Sequence, residues 1–330
     1  MDRPLTIKKL VCAAATAATV LVSAGAALAD PIRVAIANFG EHPDLAATIK
    51  GFKMGLAESG FADGKDVVFN ESHTNFDRTL LPQMLAKLLA AKPQLLLTVT
   101  TPVSQTAQVT LKDKRIPQVF AAVTDPVSAG LVPDWKKGGP GITGASDLQS
   151  GAAVTELARK VLPNVKTIGV PYNPGESNDV AAVKFMQDAA VAAHLQFASV
   201  GVDSTNDIPQ RIASLKGKAD IIYVPASNLL QPAAPAIASA AREAGIPVLS
   251  PDDASVKEGL AVATTSVNYL QVGENAGRIA AQLLKGADPA TIAVSVPTLA
   301  EHQTFASKKA FKSFKMDIPA ALKDCNCFVD

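Results

Sequence analysis

The side chains best placed for chemistry stand where short apolar runs give way to helices. Thr101-Pro102 and Asp125-Pro126 each set a capping residue before a proline, the pairing that starts a helix. The free N–H groups of such a first turn suit an anion such as a carboxylate. Catalytic signatures are missing: there is no G-x-S-x-G, Walker A or H-E-x-x-H. The four histidines, His42, His73, His194 and His302, lack metal-ligand spacing. Asp252-Asp253, two adjacent acids before a helix, read as caps more than as chelators. Gly139-Pro-Gly141-Ile-Thr-Gly144 matches G-x-G-x-x-G, but Trp135-Lys-Lys-Gly precedes it where a dinucleotide fingerprint needs a strand, so the segment reads as a loop. No metal, no cofactor and no enzyme activity is expected from these motifs.

The elements that must position these residues follow one rhythm, a short β-rich run and then an amphipathic helix. Ile32–Ala37 is strand-like, and Leu45, Ile49, Phe52 and Leu56 follow at helical spacing. Thr79–Lys92 reads as a helix, Leu95–Val99 as a strand covered on both faces, and Gln118–Val123 as another. The pattern breaks at Gly138-Gly-Pro-Gly and then restarts, with strands at Thr167–Pro171, Gln196–Val202, Ile221–Val224, Pro247–Ser250, Leu260–Thr265 and Ile292–Val296, and a last helix over Thr304–Lys315. Alternating βα units with a central break predict two doubly wound parallel-sheet α/β lobes. Ligands in such sheets bind at the carboxyl ends of the strands. That rule nominates six loops: Asn38–Pro43, Thr100–Ser104, Thr124–Ser128, Tyr172–Ser177, Pro225–Asn228 and Pro251–Asp253.

Composition narrows the class. The 330 residues are 48% hydrophobic and 18% charged, with net charge +1, which excludes a disordered chain and disfavours a nucleic-acid binder. Met1–Ala29 has the form of a cleavable secretory signal peptide. Arg3, Lys8 and Lys9 precede an uncharged stretch that ends in Ala27-Leu28-Ala29, with cleavage expected after Ala29. Its Ala, Thr and Ser content argues against a membrane anchor, and Cys12 lies too early for a lipoprotein cysteine. A soluble periplasmic protein without a lipid anchor is therefore expected. Losing Asp2, Arg3, Lys8 and Lys9 with the leader takes the net charge from +1 to −1. Cys325 and Cys327 read equally as a small ring, an intermolecular pair or two free thiols.

Phe120-Ala-Ala-Val-Thr-Asp-Pro-Val-Ser-Ala-Gly-Leu-Val132 is similar to the central signature of the tryptophan/tyrosine-type ABC transporter substrate-binding proteins. Glu41-His42-Pro43, Gly51-Phe52, Gly55-Leu56-Ala-Glu58-Ser-Gly60, Thr101-Pro102 with Gln105-Thr-Ala107, Gly141-Ile-Thr-Gly144 and Gly273 to Gly286 resemble other parts of that family. The resemblance covers the mature chain. It implies a type I periplasmic binding protein fold, with two lobes joined by crossings near Gly144–Asp147, Thr264–Val267 and Val294–Thr298. The lobes would be residues 30–145 plus 267–294, and 146–266 plus 295–330. It implies a monomer that traps a small solute, an aromatic or other amino acid, by hinge closure and delivers it to an ABC permease in the inner membrane. A periplasmic sensory receptor of the same fold is the alternative. Nucleic-acid partners are not expected, since a leader stands where a repressor's helix-turn-helix would be.

A zwitterionic solute needs donors for its carboxylate and acceptors for its ammonium; Thr101 and Ser104, at a strand-to-helix turn beside Thr100, would hold the carboxylate, and Asp125 with Thr124 would accept from the ammonium. Asn38, Tyr172 and Asn173 lie in the same set of strand-end loops. Asn228, Ser227 and Asp252 would contribute from the second lobe, and Phe39 and Tyr172 would stack on a flat ligand. Thr101 and Asp125 also read as plain helix caps. Asp125→Ala is expected to cost more in binding than in stability if the ligand role holds. Ser227 stands where family members often carry an Asp, and Ser72-His-Thr-Asn-Phe-Asp77 departs from the family's Asn-Ala-x-Gly-Asp.

Overall fold

The computed structural model describes Met1, residues 30–112 and residues 114–330. The leader reading, its cleavage point and Cys12 lie outside the described residues. The first half alternates β1 (Ile32–Asn38), α1 (Pro43–Glu58), β2 (Val67–His73), α2 (Leu81–Ala90), β3 (Leu95–Val99), α3 (Thr101–Leu111), β4 (Gln118–Ala121) and β5 (Ile142–Ala145). These strands make a parallel sheet in the order β2-β1-β3-β4-β5. The chain then runs through α4 (Gly151–Val161), β6 (Thr167–Tyr172), α5 (Ser177–Ala192), β7 (Gln196–Gly201), α6 (Ile208–Ala213), β8 (Ile221–Tyr223), α7 (Ala234–Ala244), β9 (Val248–Ser250), α8 (Asp253–Lys257) and β10 (Ala263–Val267). Next, α9 (Tyr269–Leu284) packs on the first sheet, before β11 (His302–Ala306), α10 (Lys308–Ser313) and α11 (Ala320–Lys323). The second sheet has the order β11-β10-β9-β8-β6-β7, parallel except for β11. Both sheets share one doubly wound order, in which the first strand of each sheet lies between the second and the third.

Burial follows the periodicity. All five residues of β3 are buried, because helices cover both faces of its sheet. Leu45, Ile49, Phe52 and Leu56 of α1 meet Val272, Ala276 and Ile279 of α9 over one face, and α2 and α3 cover the other. Gly51 and Gly55 of α1 lie against the α9 backbone at Leu270 and Glu274, while Gly273 and Gly277 lie against α1 at Thr48 and Phe52. A Cβ at any of the four would collide with a backbone atom, so the two helices touch without side chains between them. Two further clusters line the second sheet, one on the α4 and α10 side and one around α6 and α7.

Three local readings are corrected. The predicted last helix over Thr304–Lys315 begins only at Lys308, where Ser307 caps it by accepting from the Ala310 N–H. The residues before it pair antiparallel with β10, from Val267 beside His302 to Ala263 beside Ala306. Ile292–Val296 makes no strand; Ser295 alone bridges to Ala145, and Pro297 has no N–H with which to extend the ladder. The glycine segment read as a loop carries β5, and a Cβ at Gly144 would strike Phe120 on the neighbouring strand. Cys325 and Cys327 form a disulfide with each other. No helix among the described residues is long and apolar enough to cross a membrane.

Candidate functional site

A cavity of about 480 Å³, solvent mouth included, lies between the carboxyl ends of the two sheets. The first sheet supplies His42, Asp44 and Leu45 after β1, Phe76 after β2, Thr100 and Thr101 after β3, and Ala122 and Thr124 after β4. The second supplies Asn178 from α5 and Ala226, Ser227, Asn228 and Gln231 after β8. Asp147 and Tyr269 enter from the segments that pass between the sheets. A smaller space of about 320 Å³ adjoins it, sharing Thr124, Asp147 and Ala226 and otherwise walled by Leu148, Gln149, Ala182, Phe185, Met186 and Tyr223. The first space is polar and the annex largely apolar.

Two independent features converge on this cavity. Among the described residues, the buried side-chain atoms without a hydrogen-bond partner are Thr100 Oγ1, Asp147 Oδ1, Asn178 Oδ1 and Gln231 Oε1. All four residues line it. A buried polar atom left unpaired costs on the order of 1–3 kcal/mol. The amide orientations follow from the other ends: Asn178 Nδ2 donates to Asp179 Oδ1 and the Ala226 carbonyl, and Gln231 Nε2 donates to the Pro225 carbonyl. The second feature is backbone conformation. Phe76 (φ 65°), Thr100 (φ 84°) and Ala122 (φ 53°) are non-glycine residues with positive φ, and all three line the cavity. With ψ at 158°, Thr100 occupies a region that is essentially reserved for glycine. Such residues cost roughly 1–3 kcal/mol each and gather at ligand sites.

The electrostatics favour a cation. Burial raises Asp147 to about 6, against the pull of the Thr124 and Tyr269 hydroxyls; Tyr269 donates to Asp147 Oδ2 at 3.2 Å. Burial, followed by the charges of Asp252, Asp253 and Asp147, pushes Asp44 well above the usual carboxylate range. Burial lowers His42, partly offset by Asp252 and Glu258, and its Nδ1 accepts from the Asp44 N–H to cap α1. Behind the second wall, burial and the neighbouring Glu176 raise Asp179 to about 8. No lysine or arginine lines the cavity to balance these acids. The first turn of α3 offers the opposite polarity, a helix N-terminus at Thr100 and Thr101. Among the described residues, no group of three or more His, Cys, Asp or Glu is arranged to hold a metal ion.

The sequence-nominated residues divide into two sets. Thr100, Thr101, Thr124, Ser227 and Asn228 line the cavity. The others fall outside the lining, and most are occupied in building it. Asn38 closes its own turn, Oδ1 accepting from Phe39 N and Nδ2 donating to the Gly40 carbonyl. Phe39 is core, edge-on to Phe76 with ring centroids 5.5 Å apart. Ser104 donates to the Thr100 carbonyl and bonds Thr98. Asp125 accepts from the N–H groups of Val127 and Ser128 and from the Ser128 hydroxyl; the helix expected to start at Asp125-Pro126 is only a turn, and the carboxylate is spent on closing it. Asp252 caps α8, holding Ser250 and Ser255. Tyr172 ends β6 half-buried, and Asn173 is tied to Gly175, Glu176 and Asp179. Sequence reasoning missed His42, Asp44, Phe76, Asp147, Asn178, Gln231 and Tyr269. His42 and Asp147 were within reach, since one lies in a nominated loop and the other at an expected crossing.

A family model described as ABC transporter substrate binding protein matches residues 33–325. A tyrosine-binding protein of Clostridioides difficile (strain R20291) is 32% identical over 283 residues, 86% of this chain and 81% of that protein. The structure of an ABC domain in complex with L-Trp from Streptococcus pneumonia superposes with a TM-score of 0.82 at 30% identity, covering 90% of this chain and 99% of that one. The ligand-free, open structure of a substrate-binding protein with adhesive properties from Clostridium difficile gives 0.69 at the same 30% identity, covering 91% and 99%. At equal identity, the chain superposes better on the L-Trp complex than on the open structure.

Proposed function

This chain belongs to the ABC transporter substrate-binding protein family, and we propose that its cavity takes the head group of an aromatic amino acid. Members of the family bind a small solute between two lobes and deliver it to an ABC permease. The observation that carries the choice of solute is the convergence of unpaired buried atoms on one cavity. An ammonium group has three N–H donors; Asp147 Oδ1, Asn178 Oδ1 and Gln231 Oε1 are three acceptors without donors. A carboxylate needs donors, and the Thr100 hydroxyl and the first turn of α3 provide them. Thr101, Thr124, Ser227 and Asn228 complete the polar lining. The annex walled by Phe185, Met186 and Tyr223 suits the ring, with the Tyr223 hydroxyl and Gln149 at hand for a polar tip. The names of the similar proteins, tyrosine-binding and L-Trp-bound, support an aromatic side chain.

The same reading makes residues 30–145 plus 267–294 one lobe and 146–266 plus 295–330 the other, closing about the passages between the sheets. It also makes the mature protein a periplasmic monomer cleaved after Ala29, without a lipid anchor or catalytic activity. A melting screen tests the solute class. L-Tyrosine or L-tryptophan at 100 times its Kd should stabilise the purified protein by ~2.7 kcal/mol. L-Leucine and arabinose should leave the melting point unmoved, and a response confined to either of those two would sink the aromatic assignment.

A further inference from the structure

We infer that Arg78 and Gln105 are closure latches, side chains that do not touch the solute but set its affinity by bonding the first lobe to the second. Arg78 follows β2, and its Nη1 donates to the Gly175 carbonyl at 3.1 Å. Gln105 lies on α3, and its Nε2 donates to Ser177 Oγ at 3.2 Å. Gly175 lies in the turn that leads into α5 and Ser177 is the first residue of that helix, both on the second lobe, and none of these four residues lines the cavity.

The turn is built to receive them. Asn173 Oδ1 accepts from Gly175 N at 2.9 Å, and Asn173 N donates to Asp179 Oδ2 at 2.6 Å. Asn173 Nδ2 donates to Glu176 Oε1 at 3.0 Å, while Glu176 Oε2 accepts from the backbone and side chain of Asn228 at 3.2 and 2.7 Å. One end of this network therefore carries the latch acceptors and the other end carries a lining residue. The donors are coupled in the same way. Arg78 is two residues from Phe76 of the lining, and Gln105 is one helical turn from Thr101. The bonds exist only when the lobes are together, so they stabilise the closed state and slow release without any contact with the solute.

Three single variants test this, whichever solute the cavity takes. Arg78→Ala removes an exposed side chain. Ser177→Ala removes the partner of Gln105 but leaves its second bond, to the Ala129 carbonyl, in place. Gln105→Ala removes both. With L-tryptophan and L-tyrosine as probes, Arg78→Ala and Ser177→Ala should each raise the dissociation rate about three- to tenfold, the scale of one net hydrogen bond. The preference between the two probes and the melting point of the ligand-free protein should not move. Adding Gln105→Ala to Ser177→Ala should cost no more in dissociation rate than Gln105→Ala alone. Paired spin labels, one on each lobe, should show a smaller closed fraction without solute in every variant, a readout that survives even if neither probe binds. Unchanged dissociation and unchanged closed fraction in Arg78→Ala and Ser177→Ala would overturn the inference. So would a changed preference between the probes, which would put these side chains in the solute's path.

Discussion

The two walls of the cavity are held in shape by different means. The first-sheet wall stores its cost in the backbone: Phe76, Thr100 and Ala122 sit at positive φ, fixed by the strands and helices on either side. The second-sheet wall has no such residue in its lining. It is held by side chains instead, the Glu176, Asp179, Asn173 and Asn228 network beneath Asn178 and Ser227. The three strained positions carry no titratable side chain, so that part of the wall keeps its form whatever the pH, although His42 and Asp44 beside it do titrate. A wall fixed by buried acids changes with protonation. The first wall is thus shaped mainly by its backbone and the second by buried acids, and Asp147 stands between them in the lining.

The largest expected effect falls on that shared group. Asp147→Asn should weaken L-tyrosine or L-tryptophan binding by about 100-fold or more, the scale of removing one partner of a buried charged pair, and isothermal titration reads it. The ligand-free protein should not lose stability, because burial already disfavours that carboxylate. Binding within a few-fold of wild type would move the cation site elsewhere.

The pH response should come from Asp147, from the second wall and from Asp44 of the first, whose carboxyl burial also raises. Asp147 and Asp179 have folded-state values raised to about 6 and about 8, above the ordinary aspartate value. The folded protein therefore binds more protons than the unfolded chain through this range. Stability must fall as pH rises from about 4 toward those values and level off above them. The ligand-free protein should melt higher at pH 5 than at pH 8, and Asp179→Asn should flatten the part between 6 and 8. Affinity should run the other way, falling as pH drops through about 6 and Asp147 takes up its proton. A melting profile that rises with pH would contradict the contrast between the walls.

Smaller effects separate backbone strain from turn hydrogen bonding. Thr100→Gly should make the ligand-free protein more stable by ~1 kcal/mol, since glycine accepts that backbone conformation freely. The same change should weaken binding about tenfold through the lost hydroxyl. Reduced stability would mean that no strain is stored there. Asp125→Ala should do the reverse: cost ~1 kcal/mol of stability through the hydrogen bonds lost from its turn and leave affinity within about twofold. Chemical denaturation beside titration distinguishes the pair.

Much of the fold was readable along the chain because local burial patterns carry it. The fully apolar Leu95–Val99 announced a strand covered on both faces, and the spacing of Leu45, Ile49, Phe52 and Leu56 announced α1. The readings failed where partners at a distance decided, as at His302–Ala306, whose strand exists because β10 offers it an edge. The site was readable in part for the same reason. Strand-end loops can be counted from sequence, so Thr100, Thr101, Thr124, Ser227 and Asn228 were found. Which side chain of a loop turns inward cannot be counted. Asn38, Ser104, Asp125 and Asp252 were chosen for their chemistry, and that chemistry is used up on neighbouring backbone and hydroxyl groups.

Sequence by itself determined the alternation of strands and helices, the division into two sheets and, to within one residue, the start of α3, whose cap is Thr100 instead of Thr101. Each of these depends on residues within one or two turns of each other, or on a repeating pattern of apolar side chains. Only the tertiary structure decided that Asp147, Asn178 and Gln231 present unpaired acceptors to one space, that Thr100 is held in a glycine-like conformation, and that Arg78 and Gln105 reach across to the start of α5. Those facts join residues separated by tens to about a hundred positions. Such contacts are set by how the two sheets pack and close, and no local preference of the chain encodes them.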